Sequence, residues 1–364
     1  MNRAPALAYY VSAHGYGHGV RSCDILRALL RLHPGLRIAV TSDLPAPFFH
    51  DRLGPDAVEL RPGSFDVGMV QLDSVRVDVP ATLARVERLY ARRRPAIEAE
   101  IDFFRSAGIA AVVADIPAIP LEAAAEAGLP RIAVGNFAWD WIYSAFVERD
   151  RRWEPLVRFF EEGYRRADLL LRLPFADEMK IFPRREDVPI VAAPGRSRRR
   201  DLAALAGCRD DRRWVLLSFT SLEWNEEALD RVAALDRYEF FTVEPLAWRR
   251  PNIHPIDRRS VAFCDVVASV DAVVSKPGFG IVSECVVNRK PLAYVDRTDF
   301  LEYPLLEAAI RRFLKSVHVP AAQLYAGDIG DAVEALWTRP EPAESLPAGG
   351  AEIAARRIAA VAGL

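Results

Sequence analysis

The strongest constraint on how this chain folds is an alternation of two patterns. Short apolar runs at 6–11, 37–41, 110–114, 131–134 and 169–173 are separated by longer segments whose apolar residues recur with helical period. A second series of such runs follows at 214–219, 240–243, 272–275 and 292–295. Strands that alternate with helices pair in parallel, because a parallel connection needs a crossover long enough for a helix, and the sheet is then covered on both faces. Among the helices, 20–32 carries Ile25, Leu26, Leu29 and Leu30 on one face, and 82–104 reads as one long helix rich in arginine. Between the two series, APGRSRRRDLAALAG has the proline, glycine and arginine content of a linker. The expected organisation is therefore α/β, with two doubly wound, Rossmann-like halves facing a cleft. Residues 1–195 form the first half, 196–212 the linker and 213–340 the second half. The breaker-rich TRPEPAESLPAGG and a helix at 351–362, within 341–364, pack back across both.

Composition narrows the function classes. With 364 residues, 51% of them hydrophobic, the chain can fill two cores of ordinary size. A formal charge of -2 supplies no overall basic field for nucleic acid, and the runs 92–94 and 196–200 read as solvated surface arginines. Cys23, Cys208, Cys264 and Cys285 are scattered without CxxC spacing, which argues against a zinc ribbon or disulfide framework and fits a reducing cytoplasm. MNRAPALAYYVSAHG reads as a first strand rather than a signal peptide. No apolar stretch approaches the roughly 18 residues of a membrane span, so membrane contact is expected to be peripheral at most.

In open parallel sheets, ligands bind beyond the carboxyl ends of the strands, which singles out two glycine-rich stretches. The first, HGYGHGVR, follows the first strand. Gly15, Gly17 and Gly19 permit positive φ and close backbone approach, and the next helix offers free N–H groups to an anion or a sugar hydroxyl. It is neither GxxxxGK[ST] nor GxGxxG. A glycine-rich turn holds His14 and His18 poorly for zinc and no HExxH carboxylate accompanies them, so no metal site is expected; a histidine that only caps the turn is the competing reading, above all for His14. The second stretch, VVSKPGFGIVSECV, repeats strand, glycine turn and helix. Here Lys276 and Pro277 make the turn, Gly278 and Gly280 allow close approach, and Glu284 stands one turn into the helix, within reach of a ribose diol or simply at a first-turn position favoured by the helix dipole.

SKPGFGIVSE followed by VNRKPLAYV resembles the donor-binding segment of GT-B glycosyltransferases, especially the N-acetylglucosaminyltransferases that form lipid II. HGYGHGVR together with GNFAWDWIY is similar to the glycosyltransferase-like amino-terminal part of L-arabinokinases. The likeness runs over nearly the whole chain; the kinase half of arabinokinase has no counterpart in it, so sugar kinase activity is not implied. The resemblance implies a nucleotide-sugar donor, UDP-linked, and no cofactor. On that basis His18 faces the reacting sugar, Glu284 holds the ribose, and Gly278, Phe279, Gly280 and Ile281 lie on the diphosphate side. Val261 and Phe263 flank the nucleobase. In DRTDFLEYP the family's glutamine pair is absent, and Asp299 and Glu302 are the available substitutes. A second family loop, usually glycine-rich, reads SFTSLEW, leaving Thr220 and Ser221 to donate to phosphate.

Glycosyl transfer needs a base at the acceptor hydroxyl and stabilisation of the leaving diphosphate. The candidate base is His18, with His14 second; Asp115 and Asp140, after strands, orient it or the acceptor, or else cap helices. Lys276 and the helix N-termini serve the diphosphate. Gly15, Tyr16, Gly17, Arg21, Asn136 and Trp139 make the acceptor side, although either Trp139 or Trp141 is expected in the core. The expected reaction is metal-independent hexosyl or N-acetylhexosaminyl transfer to a small-molecule, lipid-linked or glycan acceptor. Two rivals stand beside it, a non-catalytic nucleotide-sugar or glycan-binding protein and a nucleotide-sugar epimerase of the same fold.

Overall fold

A computed structural model of the chain describes residues 6–208, 210–257 and 259–364; the first five residues of the expected first-strand segment, residue 209 of the arginine-rich stretch and residue 258 lie outside the described residues. The described chain divides into two compact units. One holds the chain through Val70 together with Asp78–Ala192 and Pro347–Leu364, and the other holds Gln71–Val77 and Ala193–Leu346.

Each unit is built on one parallel sheet. The first contains β1 (Ala6–Val11), β2 (Arg37–Thr41), β3 (Glu59–Arg61), β4 (Ile109–Asp115), β5 (Arg131–Gly135), β6 (Leu169–Arg172) and β7 (Arg185–Asp187), in the order β3-β2-β1-β4-β5-β6-β7. The second contains β8 (Arg213–Ser218), β9 (Tyr238–Val243), β10 (Ile253–Ile256), β11 (Ala272–Ser275), β12 (Leu292–Val295) and β13 (Ser316–Val319), in the order β10-β9-β8-β11-β12-β13. Both follow the doubly wound order in which the winding reverses beside the first strand, so the crevices lie beyond β1 and β4 in one unit and beyond β8 and β11 in the other. The four strands that the apolar pattern does not reveal, β3, β7, β10 and β13, are the four sheet edges. Edge strands are short and need no apolar faces: β7 reads Arg-Glu-Asp, and β10 tolerates Pro255.

Within the first unit, Leu7, Tyr9 and Val11 of β1 point to the face covered by Ile25, Leu26 and Leu29 and by Ala354, Ala355 and Ile358. Tyr10 points to the other face, against Phe104 at 6.4 Å between ring centres. The expected helix 82–104 is two helices, Val79–Ala91 and Arg93–Ala107, broken at Arg92. Pro95 explains the break: a continuous helix would need its missing N–H and would drive its ring into the carbonyl of Ala91. Asp78 caps the first of the pair, accepting from the Ala81 N–H at 2.8 Å.

Most arginines of the two runs are exposed as expected, but Arg93 and Arg199 are not free surface residues. Arg93 clamps Glu122 at 2.5 Å and Glu162 at 3.0 Å. Within the stretch read as a linker, Arg199–Ala206 is a helix with Leu202 sealed beneath it. Arg199 lies 4.1 Å over the Trp214 ring and donates to Asp271 at 3.1 Å, so it fastens that helix to the second sheet instead of facing solvent. No helix among the described residues is long and apolar enough to cross a membrane.

The last helix, Gly350–Ala362, belongs to the first unit. Its first residue donates its N–H to the Ile190 carbonyl at 3.0 Å, and a Cβ there would stand 2.1 Å from the Pro189 carbonyl oxygen. Only glycine allows that approach, because backbone cannot yield as a flexible side chain can. Gly350→Ala is expected to lower the stability of the first unit by about 1–3 kcal/mol, read as an earlier midpoint in urea unfolding; an unchanged midpoint contradicts this account of the docking.

Candidate functional site

The first crevice is formed where HGYGHGVR leaves β1. The helix that follows starts at Tyr16 rather than Val20, so the glycines do not make a positive-φ loop. Gly15 is the N-cap with extended backbone, φ 172° and ψ 159°, and no atom stands near where its Cβ would be. Tyr16 is exposed, its ring 5.4 Å from Phe48, and Gly17 lies beside it in the first turn. Gly19 serves packing: a Cβ there would meet Phe48 at 2.5 Å and Leu44 at 2.6 Å.

Starting the helix early puts His18, Arg21 and Ser22 on one face, three and four residues apart. All three reach Asp115, the last residue of β4, which is fully buried. His18 Nδ1 lies 2.8 Å from Asp115 Oδ1, Arg21 donates through Nε at 2.7 Å and Nη2 at 2.5 Å, and Ser22 Oγ donates at 2.9 Å. Burial alone would raise the Asp115 carboxyl; the Arg21 guanidinium, followed by His18, holds it well below the usual carboxylate range. Arg21 Nη2 also comes within 3.0 Å of His18 Nδ1, and both nitrogens cannot give and receive there at once. An ionised Asp115 only accepts, so Nδ1 carries the proton it donates to the carboxylate. Whenever the ring is neutral, its unprotonated nitrogen is then Nε2, which makes no hydrogen bond to a described residue.

Asn136, after β5, braces the same arginine. Its Oδ1 accepts from Arg21 Nη1, and its Nδ2 donates to the Pro174 carbonyl at 2.5 Å. Trp139, expected to face the acceptor, is a core residue only 1% exposed, and its Nε1 donates to Asp66 at 2.9 Å. Asp66 was not signalled by any spacing; its carboxyl is pushed up by burial, then drawn down by hydrogen bonds from Ser12 and Trp139 and by the charge of His18. His14 is committed to structure: Nδ1 accepts the Met69 N–H at 3.1 Å, and its ring stands edge-on to Trp139 at 5.2 Å. A Cβ on Gly68, at φ 68°, would lie 2.1 Å from that nitrogen. The second-choice base is thereby corrected to a residue that holds the 66–70 segment.

In the second unit, β11 runs into Lys276 and Pro277, and Gly278 caps the helix Phe279–Val287 at φ -160°, again with open space at its Cβ position. Phe279, Gly280 and Ile281 form the first turn. Glu284 is buried, with Oε2 accepting from Asn288 Nδ2 at 3.3 Å, while Asn288 Oδ1 accepts from the Gly195 N–H at 2.9 Å. Burial, and then the charge of Arg297, push the Lys276 ammonium down to about 7. Val261 is buried and Phe263 half-buried at the start of the helix Phe263–Ser269. The two proposed glutamine substitutes differ: Asp299 is exposed at φ 56°, and Glu302 is buried near Arg297. The N–H groups of Thr220 and Ser221, expected to meet phosphate, donate to Ser74 Oγ at 3.2 and 2.9 Å. Ser74 and Arg297 carry no motif signal, and neither was singled out by the sequence.

Asp140 stands apart from the Asp115 cluster. It lies in the first turn of the helix Trp139–Ser144, its Oδ1 is sealed without a partner, and its charged neighbours are Glu161 and Asp177. Burial, opposed by the Trp141 N–H and reinforced by Glu161, pushes its carboxyl up to about 7. The folded state then holds this proton more tightly than the unfolded chain, so its contribution to stability falls as pH rises from about 4 to about 7. Asp140→Asn should match the parent at pH 4 and exceed its stability at pH 8 by on the order of 2–4 kcal/mol, measured by urea unfolding at both pH values; a gain equal at both would rule this out.

No family model matches the chain. L-arabinokinase of Arabidopsis thaliana is 28% identical over 324 residues, which is 88% of this chain and 31% of that protein, so the chain spans about a third of the length of this relative. Among solved structures, Arabidopsis thaliana UGT89C1 complexed with quercetin is similar with a TM-score of 0.65 at 15% identity, covering 99% of this chain and all (100%) of that one. The glycotransferase of kitacinnamycin has a TM-score of 0.64 at 14% identity, covering 99% and 94%. Phytolacca americana UGT2 complexed with UDP-2fluoro-glucose and pterostilbene has a TM-score of 0.62 at 13% identity, again covering 99% and 94%. The two parallel-sheet units thus have the fold of GT-B glycosyltransferases.

Proposed function

We propose that the protein is a glycosyltransferase, moving a hexosyl or N-acetylhexosaminyl group from a nucleoside-diphosphate donor to an acceptor hydroxyl without a bound metal. The observation that carries this reading is the His18–Asp115 pair at the switch point of the first sheet, with Nδ1 anchored on a buried carboxylate and Nε2 unengaged. Nε2 takes the proton of the acceptor hydroxyl as its oxygen bonds to the anomeric carbon. The bond from that carbon to the diphosphate oxygen breaks, and the diphosphate leaves with the electron pair. Asp115 stabilises the imidazolium so formed, and Arg21 keeps Asp115 ionised. An imidazole suits this step because its ordinary pKa is near neutrality.

The donor is assigned to the second unit. The open N-cap at Gly278 and the desolvated Lys276 suit a diphosphate, and Glu284, braced by Asn288, suits a ribose diol. UDP sugars are the donors to test first, since a fold neighbour is described with UDP-2fluoro-glucose. Small molecules, glycans and lipid-linked sugars are the acceptor classes.

The engagement of Thr220 and Ser221 by Ser74 favours a second reading, a nucleotide-sugar-binding protein without turnover. Incubating the protein with a UDP sugar and an acceptor panel, and following the donor by NMR, separates the readings. Transfer consumes donor only with acceptor, epimerisation changes it without acceptor, and the binding protein leaves it intact. His18→Ala should lower transfer by about 10²–10⁴-fold with UDP affinity retained, whereas Glu284→Ala should weaken donor binding about tenfold. Parental rates in both variants would sink the assignment.

A further inference from the structure

Asp66 is a buried carboxylate of the first unit with no part in the transfer described above. It is 6% exposed on a stretch, 62–70, that forms neither helix nor strand. That stretch is nevertheless fixed at almost every step. Ser64 Oγ donates to the Asp66 carbonyl at 2.9 Å, Trp139 Nε1 to Asp66 Oδ2 at 2.9 Å and Tyr143 Oη to the Gly68 carbonyl at 3.0 Å. The N–H groups of Met69 and Val70 donate to His14 Nδ1 at 3.1 Å and to Thr82 Oγ1 at 2.9 Å.

Two routes tie the carboxylate so held to His18. On one side, the Trp139 ring stands 4.9 Å from Phe137, and Phe137 stands edge-on to the His18 ring at 5.7 Å. On the other, the Ser12 hydroxyl bonds the Asp66 carboxylate, and the Ser12 N–H donates to the Asp115 carbonyl at 2.8 Å. Asp115 in turn holds His18 Nδ1. Among the described residues no arginine or lysine pairs with Asp66. The charges that act on it are those of His18, which attracts, and Asp115, which repels. Tyr143 and Tyr164 also feel its charge, and burial keeps both phenols neutral. His18 is itself faced by Asp115 and Arg21.

The charges in this cluster decide what Asp66 does. Arg21 and Asp115 offset each other. While the imidazole is neutral, an ionised Asp66 is therefore a buried charge without a counter-charge, which is costly; once the imidazole is protonated, the cost is relieved. An ionised Asp66 and a protonated His18 consequently favour each other. We propose that Asp66 is a positioning residue for His18: a second buried carboxylate, distinct from Asp115, whose charge favours the imidazolium over the neutral ring. That the imidazolium takes its proton from an acceptor hydroxyl rests on the proposed function, whereas the coupling of Asp66 to His18 does not.

The test is a pH titration of the whole protein by NMR, following the Asp66 carboxyl carbon and the His18 ring nitrogens. His18→Gln should raise the pH at which Asp66 is half ionised by about one unit, a tenfold gain in proton affinity. Coupling is reciprocal, so Asp66→Asn should weaken proton binding at His18 by about the same factor, and Asp66→Glu, which keeps the charge, should restore part of it. The Nδ1–H tautomer should persist in Asp66→Asn, because Asp115 sets it; a loosened fold would lose it. An Asp66 titration unchanged by His18→Gln overturns the proposal, and so does unchanged proton binding at His18 in an Asp66→Asn protein that keeps the tautomer. Should Asp66→Asn not fold, the His18→Gln titration decides alone. On the transferase reading, the acid limb of kcat/KM should also move to lower pH in Asp66→Asn. Coupling as expected, with no transfer from any UDP sugar to any acceptor, leaves the Asp66–His18 pair standing and removes the transferase reading.

Discussion

A fully buried, ionised Asp115 governs the architecture of the first unit. An unpaired carboxylate at that depth would be costly, so the fold must bring cationic and hydroxyl donors to the end of β4. It does so with one helix face: His18, Arg21 and Ser22 are spaced to reach the same two oxygens. That requirement explains why the helix begins at Tyr16 and not after the glycines. Had the segment stayed a loop through Gly19, His18 would have had no fixed relation to Arg21. Asn136 then ties the arginine to β5, so three neighbouring strand ends, β1, β4 and β5, are registered through a single charge.

The two units share a strand order yet present opposite electrostatic problems at their switch points. In the first, the anion belongs to the protein and is satisfied within it, leaving one imidazole nitrogen as the unengaged group. In the second, the protein supplies cations, and Lys276 is pushed down to about 7 by burial and by Arg297. A satisfied charge makes a rigid, pre-organised site, while an unsatisfied one stores the cost of desolvation until a ligand offsets it. Preorganisation suits a base whose tautomer must be fixed. Under the transfer proposed above, a deficit of negative charge would suit a leaving anion whose charge grows.

The central strands and a few helices, such as 20–32 and 351–362, were legible because each carries its own apolar period. Edge strands were not, since pairing on one side fixes them through backbone alone. At the site, the glycine turns were legible because they sit after strands, whereas the helical spacing of His18, Arg21 and Ser22 was hidden by reading the helix from residue 20. Asp66, Ser74 and Arg297 lack any such local signature, because their partners are distant in sequence. Asp66 meets Trp139, and Ser74 meets Thr220 and Ser221, across separations that no local period encodes. His14, read as a second-choice base, and Trp139, read on the acceptor side, show the converse, since their contacts make them a brace.

Ser74 bears on how the turn after β8 works. The sequence there lacks the glycines expected of a phosphate loop, and although Thr220 and Ser221 are exposed, their N–H groups are held within the protein. One hydroxyl oxygen from the Gln71–Val77 segment answers both, and the Ser74 N–H in turn donates to the Ser221 carbonyl at 3.1 Å. Asp73 stiffens the segment by accepting from Val75, Arg76 and Tyr325. The serine oxygen thus occupies the place that an anion oxygen takes in a glycine-rich turn, with the same two donors but without the charge. The N–H groups of Thr220 and Ser221 are thus engaged within the second unit itself.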